Sequence, residues 1–489
     1  MVQPLLVGPG GWAQTHSMQA LQQEQVPARS LRALSPFCTA QAMERLQRKA
    51  ERLLAALSGR AIWNVNSTGR GGGVAEMLRS LVAYSRGAGV ECNWVVIHGS
   101  PSFFQLTKRL HNALHGAAVD TTFGEIERVE YERTSAENAS ELRVLARPGD
   151  IVILHDPQTL GVADVLARAG VKVIWRCHIG ADVQNEYSRA ALAFLWPYFA
   201  RLHCCVFSRQ AYIPQELPVP ARVIAPSIDP LSAKNQPLSA GAVRSILVQA
   251  GLLEGPPSQV PAEFVREDGS RSLVTRAADI IRLGRACCEG TPCVVQISRW
   301  DRLKDHVGVL HGFARYIERG GQARLILAGP NVHAVADDPE GAGIFDEVVA
   351  AFRALPHQVR GAVDLINLPM ADAAENAAIV NALQRHASIV VQKSLREGFG
   401  LTVSEAMWKA KPVIATRVGG IQDQIEHGVS GILLDDPHSQ LELADALARL
   451  LGDRGLSDRM GNSARERVRD HFLSVRSLEA FADLITDLL

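Results

Sequence analysis

Several features that would set this chain apart from ordinary globular enzymes are missing. Charge of neither sign is in excess, since Lys+Arg and Asp+Glu both number 51 in 489 residues. A general nucleic-acid binder carries a basic surplus, so that class is disfavoured. None of the 8 cysteines (38, 92, 177, 204, 205, 287, 288 and 293) forms a C-x-x-C pair, and no histidines cluster at zinc spacing. No metal site and no cofactor follow from such a pattern. Most of these cysteines read as buried thiols, with Cys287, Cys288 and Cys293 the one group that could be redox-active. The opening "MVQPLLVGPGGWAQTHS" lacks the basic start of a secretory leader. Arg201 and His203 interrupt the longest apolar stretch, "AALAFLWPYFARLHCCVF", well short of a membrane span. A soluble, cytoplasmic protein with no membrane partner is the expectation. Internal repeats and low-complexity segments are absent as well.

What is present is an ordinary core-forming balance, 47% apolar and 21% charged, over a length too great for one core. From "AIWNVNS" (61–67) onward, short apolar strands alternate with amphipathic helices through "CNWVVIHG", "DIVILHDP", "KVIWRCHIG" and "CCVFSR". The pattern pauses in "PSIDPLSAKN", "EGPPSQVP" and "REDGSRS", which are rich in turn formers. It resumes with "CVVQISRW", "ARLILAGP", "VDLINLP", "SIVVQKS", "PVIATRV" and "GILLDD". Such alternation implies α/β units with parallel sheets covered on both faces. We expect two doubly wound, Rossmann-like domains, 1–225 and 226–471, with a last helix in 472–489 packing back on the first. The stretch 240–290 is expected to be a turn-rich surface elaboration between them. In such folds ligands bind beyond the carboxyl ends of the strands, so two facing domains share a central cleft.

The strand-end residues carry the chemistry. After the first strand, Gly71, Gly72 and Gly73 precede a helix, so bare N–H groups can approach an anion or a sugar hydroxyl. The loop lacks the G-K-[ST] of a phosphate-binding P-loop. It also misses G-x-G-x-x-G by one residue, which argues against a nicotinamide dehydrogenase. Asp156 and Gln158 in "HDPQ" can hold hydroxyls, and His178 in "WRCHIG" can donate to a sugar oxygen or be structural. Arg299 and Lys304 in "SRWDRLKD" set two cations at one strand tip, suited to a diphosphate and to charge on a leaving phosphate.

In "SLREGFGLTVSEAMWKAKPVIATRVGGIQDQ", Glu397 lies in a turn and Glu405 one turn into the next helix. The amides of Gly398, Phe399 and Gly400 can face the cleft where that helix starts, with Leu401 and Thr402 as its first residues. A hydrolase needs two carboxylates flanking one bond at about 5–10 Å. Two from one short segment of one wall suit two separate hydroxyl-bearing groups better.

These motifs resemble the retaining GT-B glycosyltransferases of family GT4, whose E-x7-E signature reads here as "EGFGLTVSE". "GGIQDQIEHGVSGILL" is similar to the segment that follows it in that family. "WNVNSTGRGGGVAEML", "FFQLTKRLHNALHG", "HDPQ", "WRCHI" and "PSIDPLSAKN" look like the trehalose glycosyltransferring synthases, over about residues 61–435. The resemblance implies glucose transfer from a nucleoside diphosphate glucose, with ADP or UDP as the nucleotide, to free glucose, giving α,α-trehalose. It implies donor-glucose contacts from Glu397, ribose contacts from Glu405, diphosphate contacts from Arg299 and Lys304, and His178 beside the donor sugar. The glycine loop and "HDPQ" would face the acceptor or the reaction centre. No metal is implied, no nucleic-acid partner is expected, and a homodimer is compatible with the reading. The family pattern has Asp where Gly180 stands, with Asp182 two residues on. Retaining trehalose phosphorylases share much of the pattern and are the alternative. Another GT4 sugar transferase, or a non-catalytic sugar- or nucleotide-binding subunit, remains a further class.

Overall fold

Apolar runs rich in Val and Ile build the two sheets of the computed structural model, which describes residues 21–69, 72–288, 290–332 and 339–489. The predicted Gly71 lies outside the described residues. The first sheet uses β1 (Gln22–Gln23), β2 (Ile62–Asn66), β3 (Cys92–Val96), β4 (Ile151–His155), β5 (Lys172–Cys177), β6 (Cys204–Phe207) and β7 (Ala221–Val223). A hairpin follows, β8 (Glu263–Val265) with β9 (Arg271–Leu273). The second sheet uses β10 (Asp279–Arg282), β11 (Cys293–Ile297), β12 (Arg324–Pro330), β13 (Val363–Leu368), β14 (Ile389–Gln392), β15 (Val413–Thr416) and β16 (Ile432–Leu434).

In β4, Ile151 and Ile153 enter one apolar layer, and Val152 and Leu154 enter the other. A strand alternates its side chains, so a run of β-branched residues with no polar face is stable only between two helix layers. In β11 and β14 likewise, Val295 and Val390 face one layer while Val294, Ile389 and Val391 face the other.

The strand orders are β1-β3-β2-β4-β5-β6-β7 and β10-β13-β12-β11-β14-β15-β16. All pairings are parallel except at one edge of each sheet, where β1 on β3 and β10 on β13 run antiparallel. The winding reverses between β2 and β4 in the first sheet and between β11 and β14 in the second. Those are the switch points where a crevice opens, because consecutive connections leave in opposite directions. The loops flanking them hold the glycine loop, "HDPQ", Arg299 with Lys304, and Glu397.

The sheets are joined by two neighbouring crossings of the chain. Ile228 donates to the Phe472 carbonyl at 2.9 Å, and Ser474 donates back to Ile228 at 3.0 Å. The helix Ser474–Leu488 then places Val475, Leu478, Phe481 and Ile485 in the same apolar layer as Leu46, Leu53, Ile151 and Ile153. No helix among the described residues is long and apolar enough to cross a membrane.

The stretch 240–290 differs from the surface elaboration expected of it. Its helix, Ala240–Gln249, packs on the helix Ala373–His386, and β10 completes the second sheet. Val243, Ile246, Leu247, Leu252, Phe264, Val274 and Cys287 all belong to the second domain's core. "REDGSR" turns the hairpin, with Arg266 donating to the Ser270 carbonyl at 2.8 Å. Its turn formers therefore punctuate short core elements.

Phe264 is 1% exposed. Phe264→Ala should cost about 3–5 kcal/mol of stability, measured by chemical denaturation, and deletion of 256–275 should abolish soluble expression. A destabilisation under 1 kcal/mol would return the segment to the surface.

Candidate active site

On the first wall, β2 runs into the glycine loop and the helix Gly72–Gly87. Gly72 has φ +77°, and a Cβ on Gly73 would lie 2.8 Å from Leu401 Cδ1 of the opposite wall. The two walls thus touch where the predicted Gly73 and Leu401 meet.

The exit of β4 is strained. Asp156 has φ +62°, a left-handed conformation that Asp tolerates better than most residues. Its Oδ1 accepts the His178 backbone N–H at 2.8 Å, and its carbonyl accepts Trp175 Nε1–H at 3.0 Å. Burial pushes its carboxyl up to about 7, against the pull of that hydrogen bond and of Arg176. One carboxyl oxygen is thus engaged within the protein. Gln158 is half-buried, and its Oε1 is a buried atom without a hydrogen-bond partner among the described residues.

His178 belongs to a relay. Its Nε2 is 3.0 Å from His155 Nδ1, and His155 Nε2 is 3.1 Å from Asn64 Oδ1. The rings stack with centroids 5.3 Å apart. Asn64 Nδ2 donates to the Asn93 carbonyl at 3.4 Å, which makes Oδ1 the acceptor. His155 then donates through Nε2 and accepts through Nδ1, so His178 donates through Nε2 and keeps a lone pair on Nδ1. Burial and the Arg176 charge hold both rings neutral, with His155 pushed down to about 3. Asn64 and His155 escaped the sequence reading. Their signal was buried polar residues, Asn64 in β2 and His155 in β4, within two adjoining and mostly apolar strands.

On the second wall, the exits of β11 and β14 are stitched together. Gln296 Nε2 donates to the Lys304 carbonyl at 2.8 Å, while its Oε1 accepts the Lys393 N–H at 3.1 Å. Leu395 donates to the Leu303 carbonyl at 2.8 Å. This places the Lys304 ammonium directly on Glu397 Oε2, which also accepts from Ser394 Oγ at 3.3 Å. Arg299 is half-exposed and pairs with Asp301 at 2.9 Å.

Gly400, at φ +82°, ends the Glu397 turn and starts the helix Leu401–Trp408. No acceptor among the described residues takes the backbone N–H groups of Gly398, Phe399 or Gly400. Leu401 and Thr402, both partly buried, add the first N–H groups of the helix. Such an end can accommodate an anion or a hydroxyl. The Gly419–Gly420 turn after β15 lies directly against the Glu397 turn. A Cβ on Gly419 would fall 1.7 Å from the Glu397 carbonyl oxygen, and one on Gly420 2.5 Å from the Phe399 ring. Across the cleft, a Cβ on Gly398 would be 3.3 Å from both His115 Cε1 and the His178 carbonyl. His115 is held neutral by burial, down to about 4, although the Glu397 charge opposes this.

Glu405 is 4% exposed and lies 3.6 Å from Lys234, which also holds Glu76 of the helix Gly72–Gly87 at 2.6 Å. The two glutamates of the signature thus have separate lysines. Among the described residues no group of three or more His, Cys, Asp or Glu is placed to hold a metal ion. Cys287 and Cys293 are buried free thiols, and Cys288 is exposed.

Two sheets meeting at their switch points, with this E-x7-E turn between them, define a GT-B glycosyltransferase of the GT4 type. The fold recurs, at 14% identity and a TM-score of 0.63, in an α,α-trehalose-phosphate synthase (UDP-forming) from Burkholderia vietnamiensis, covering 88% of this chain and 99% of that one. A family profile described as the N-terminal domain of trehalose synthase matches residues 64–214, and one for glycosyl transferases group 1 matches 367–467. The chain is 37% identical to a trehalose synthase of Rubrobacter xylanophilus, over 90% of its own length and 93% of that protein's. For a trehalose synthase of Pyrococcus horikoshii the figures are 33%, 91% and 93%. A trehalose phosphorylase of Grifola frondosa is more distant, at 27% identity over 85% of this chain and 55% of that protein. The chain belongs to the trehalose synthase family of GT4 glycosyltransferases.

Asp156 predicts a pH signature. Its folded pKa of about 7 lies above that of an unfolded aspartate, about 3.9. The stability tied to this proton is present below about 4 and lost as pH rises through about 7. Asp156→Asn keeps both the backbone preference and the acceptor for His178. Relative to that variant, the unaltered protein should lose stability between about pH 4 and pH 7. Parallel unfolding free energies across that range would refute the assignment.

Proposed function

We propose that this protein transfers glucose, with retention at the anomeric carbon, from a nucleoside diphosphate glucose to free glucose, forming α,α-trehalose. One observation carries the reading: the Lys304–Glu397 pair sits beside the bare amides of 398–400 and across from His178. A cation for phosphate and hydroxyl ligands for a sugar are therefore adjacent, as a glucosyl–phosphate bond requires. In this reading residues 1–225 with 472–489 form the acceptor half, and 226–471 the donor half.

Donor diphosphate lies against Arg299 and Lys304, which stabilise the charge that grows as the C1–O bond breaks. Glu397 and the amides of Gly398, Phe399 and Gly400, followed by Leu401 and Thr402, hold the glucosyl group. Glu405, steadied by Lys234, accepts from the two ribose hydroxyls. Neutral His178 faces the donor sugar, and Gln158, Asp156, Gly72 and Gly73 face the acceptor. The acceptor oxygen bonds to C1 on the face the phosphate leaves, and its proton passes to the departing phosphate oxygen. A carboxylate at the far end of the site suits ribose, whereas it repels inorganic phosphate. That favours a nucleotide donor over phosphorolysis.

Purified protein given ADP- or UDP-glucose and glucose, without added metal, should form α,α-trehalose, identified by NMR. Cleavage of trehalose by phosphate to α-glucose 1-phosphate, with no nucleotide sugar consumed, would replace the reading with a phosphorylase. No turnover of any of these would make the chain a binding subunit. Arg299→Ala and Lys304→Ala should each lower kcat about 100-fold, about 3 kcal/mol. Loss of half-exposed Arg299 should change Tm little, whereas Lys304→Ala should lower it by leaving Glu397 buried and unpaired. Glu405→Ala should raise the donor KM and leave that for glucose unchanged. Near-normal kinetics in any of these variants would remove that residue from the site.

A further inference from the structure

Gly180 stands where the family pattern has an aspartate, and the structure contains a reason for the glycine. A Cβ at 180 would lie 2.3 Å from Tyr212 Cγ and 2.6 Å from Cδ1, so any side chain there would displace the ring. Gly180 is not in the left-handed region, so the demand is for space alone. The ring belongs to the first domain, on the 3-10 turn Gln210–Tyr212 after β6, and is buried. Its hydroxyl reaches the second domain, 2.8 Å from the Gly398 carbonyl and 3.1 Å from that of Glu397.

We infer that Tyr212, seated on Gly180, is a positioning residue that orients the donor-binding turn from the opposite wall when the cleft is closed. A trans peptide points its N–H away from its C=O. Fixing the carbonyls of Glu397 and Gly398 therefore fixes the N–H groups of Gly398 and Phe399, which no described protein group takes. Two neighbours hold the adjacent turn in the same way. Arg209 donates to the Gly419 carbonyl at 2.7 Å and pairs with Asp423, while Asp182 Oδ2 accepts the Gly419 N–H at 2.8 Å. Arg209 and Asp182 also pair with each other, and the guanidinium lies 5.6 Å from the Tyr212 ring centroid. The carboxylate missing at 180 is thus matched by one at 182 that grips the second turn. Burial and the nearby Asp182 charge raise the phenol pKa, so the hydroxyl remains a donor across the working range. The bonds from Tyr212, Arg209 and Asp182 to the two turns all cross the cleft, so the donor-binding turn acquires its final orientation only as the walls meet.

The turnover part of the test rests on the glucosyl transfer proposed above, and the exchange part does not. Tyr212→Phe keeps the ring and removes the hydroxyl. Amides within 395–402 should exchange with deuterium at least several-fold faster, with those of β4 unchanged. Its kcat should fall about ten-fold, the loss expected of one hydrogen bond, with the KM for glucose unaltered. Gly180→Ala should speed exchange in the same segment, and in a Tyr212→Ala background it should add nothing, since the ring it would strike is gone. Unchanged exchange in Tyr212→Phe, or additive effects of Gly180→Ala and Tyr212→Ala, would overturn the inference. Should the unaltered protein turn over no nucleotide sugar, the proposed activity fails while the exchange comparison still decides on Tyr212.

Discussion

The ion pair between Lys304 and Glu397 joins the exits of the two strands that flank the second switch point. Each exit alone would be an exposed loop ending in a charge. Gln296, reaching both loops through its amide, and the Leu395–Leu303 bond make them one rigid platform. A group on such a platform has little freedom to lose when it meets a ligand, which is how a fold built for burial serves catalysis. The same pair keeps a lysine and a glutamate, both mostly buried, from standing uncompensated in a narrow cleft.

Close approach to bare glycine backbone, by side chains as well as main chain, is the second constraint. Gly419 and Gly420 lie against the Glu397–Phe399 backbone, Gly73 against Leu401, and Gly180 against Tyr212. These glycines share no single motif and no single conformation. They mark places where two elements far apart in the chain come nearer than a Cβ allows.

Strand alternation and the E-x7-E turn were legible because their causes are local: hydrophobic period, turn residues and a helix start. The edge strands were not. β1 has two residues, both exposed, and β10 lies in a stretch whose turn formers read as a linker. Both exist because an antiparallel edge offers paired hydrogen bonds to a segment with no strand signature of its own. The Asn64–His155–His178 relay was hidden for a related reason. Its members come from β2, β4 and the end of β5, and only the strand order sets them side by side. His178 could be singled out by its place after a strand, but the tautomer that decides its role is set by Asn64, more than a hundred residues earlier. Gly180 stood out in the sequence as a departure from pattern, and its meaning depended on Tyr212.

Among the described residues, each of the cleft cations named above has a carboxylate partner within the protein. Lys304 has Glu397, Arg299 has Asp301, and Lys234 has both Glu76 and Glu405. On the proposed reading, a donor diphosphate would exchange partners here, its oxygens taking over the cations from carboxylates. Each carboxylate so released is an acceptor with no proton of its own, and the groups that can satisfy it are hydroxyls. A ligand carrying both phosphate and sugar hydroxyls satisfies both sides of that exchange at once. Free phosphate satisfies only the cations and leaves Glu397 buried and unpaired. On that reading the pairing is itself a selectivity element, favouring a phosphate that brings its sugar with it.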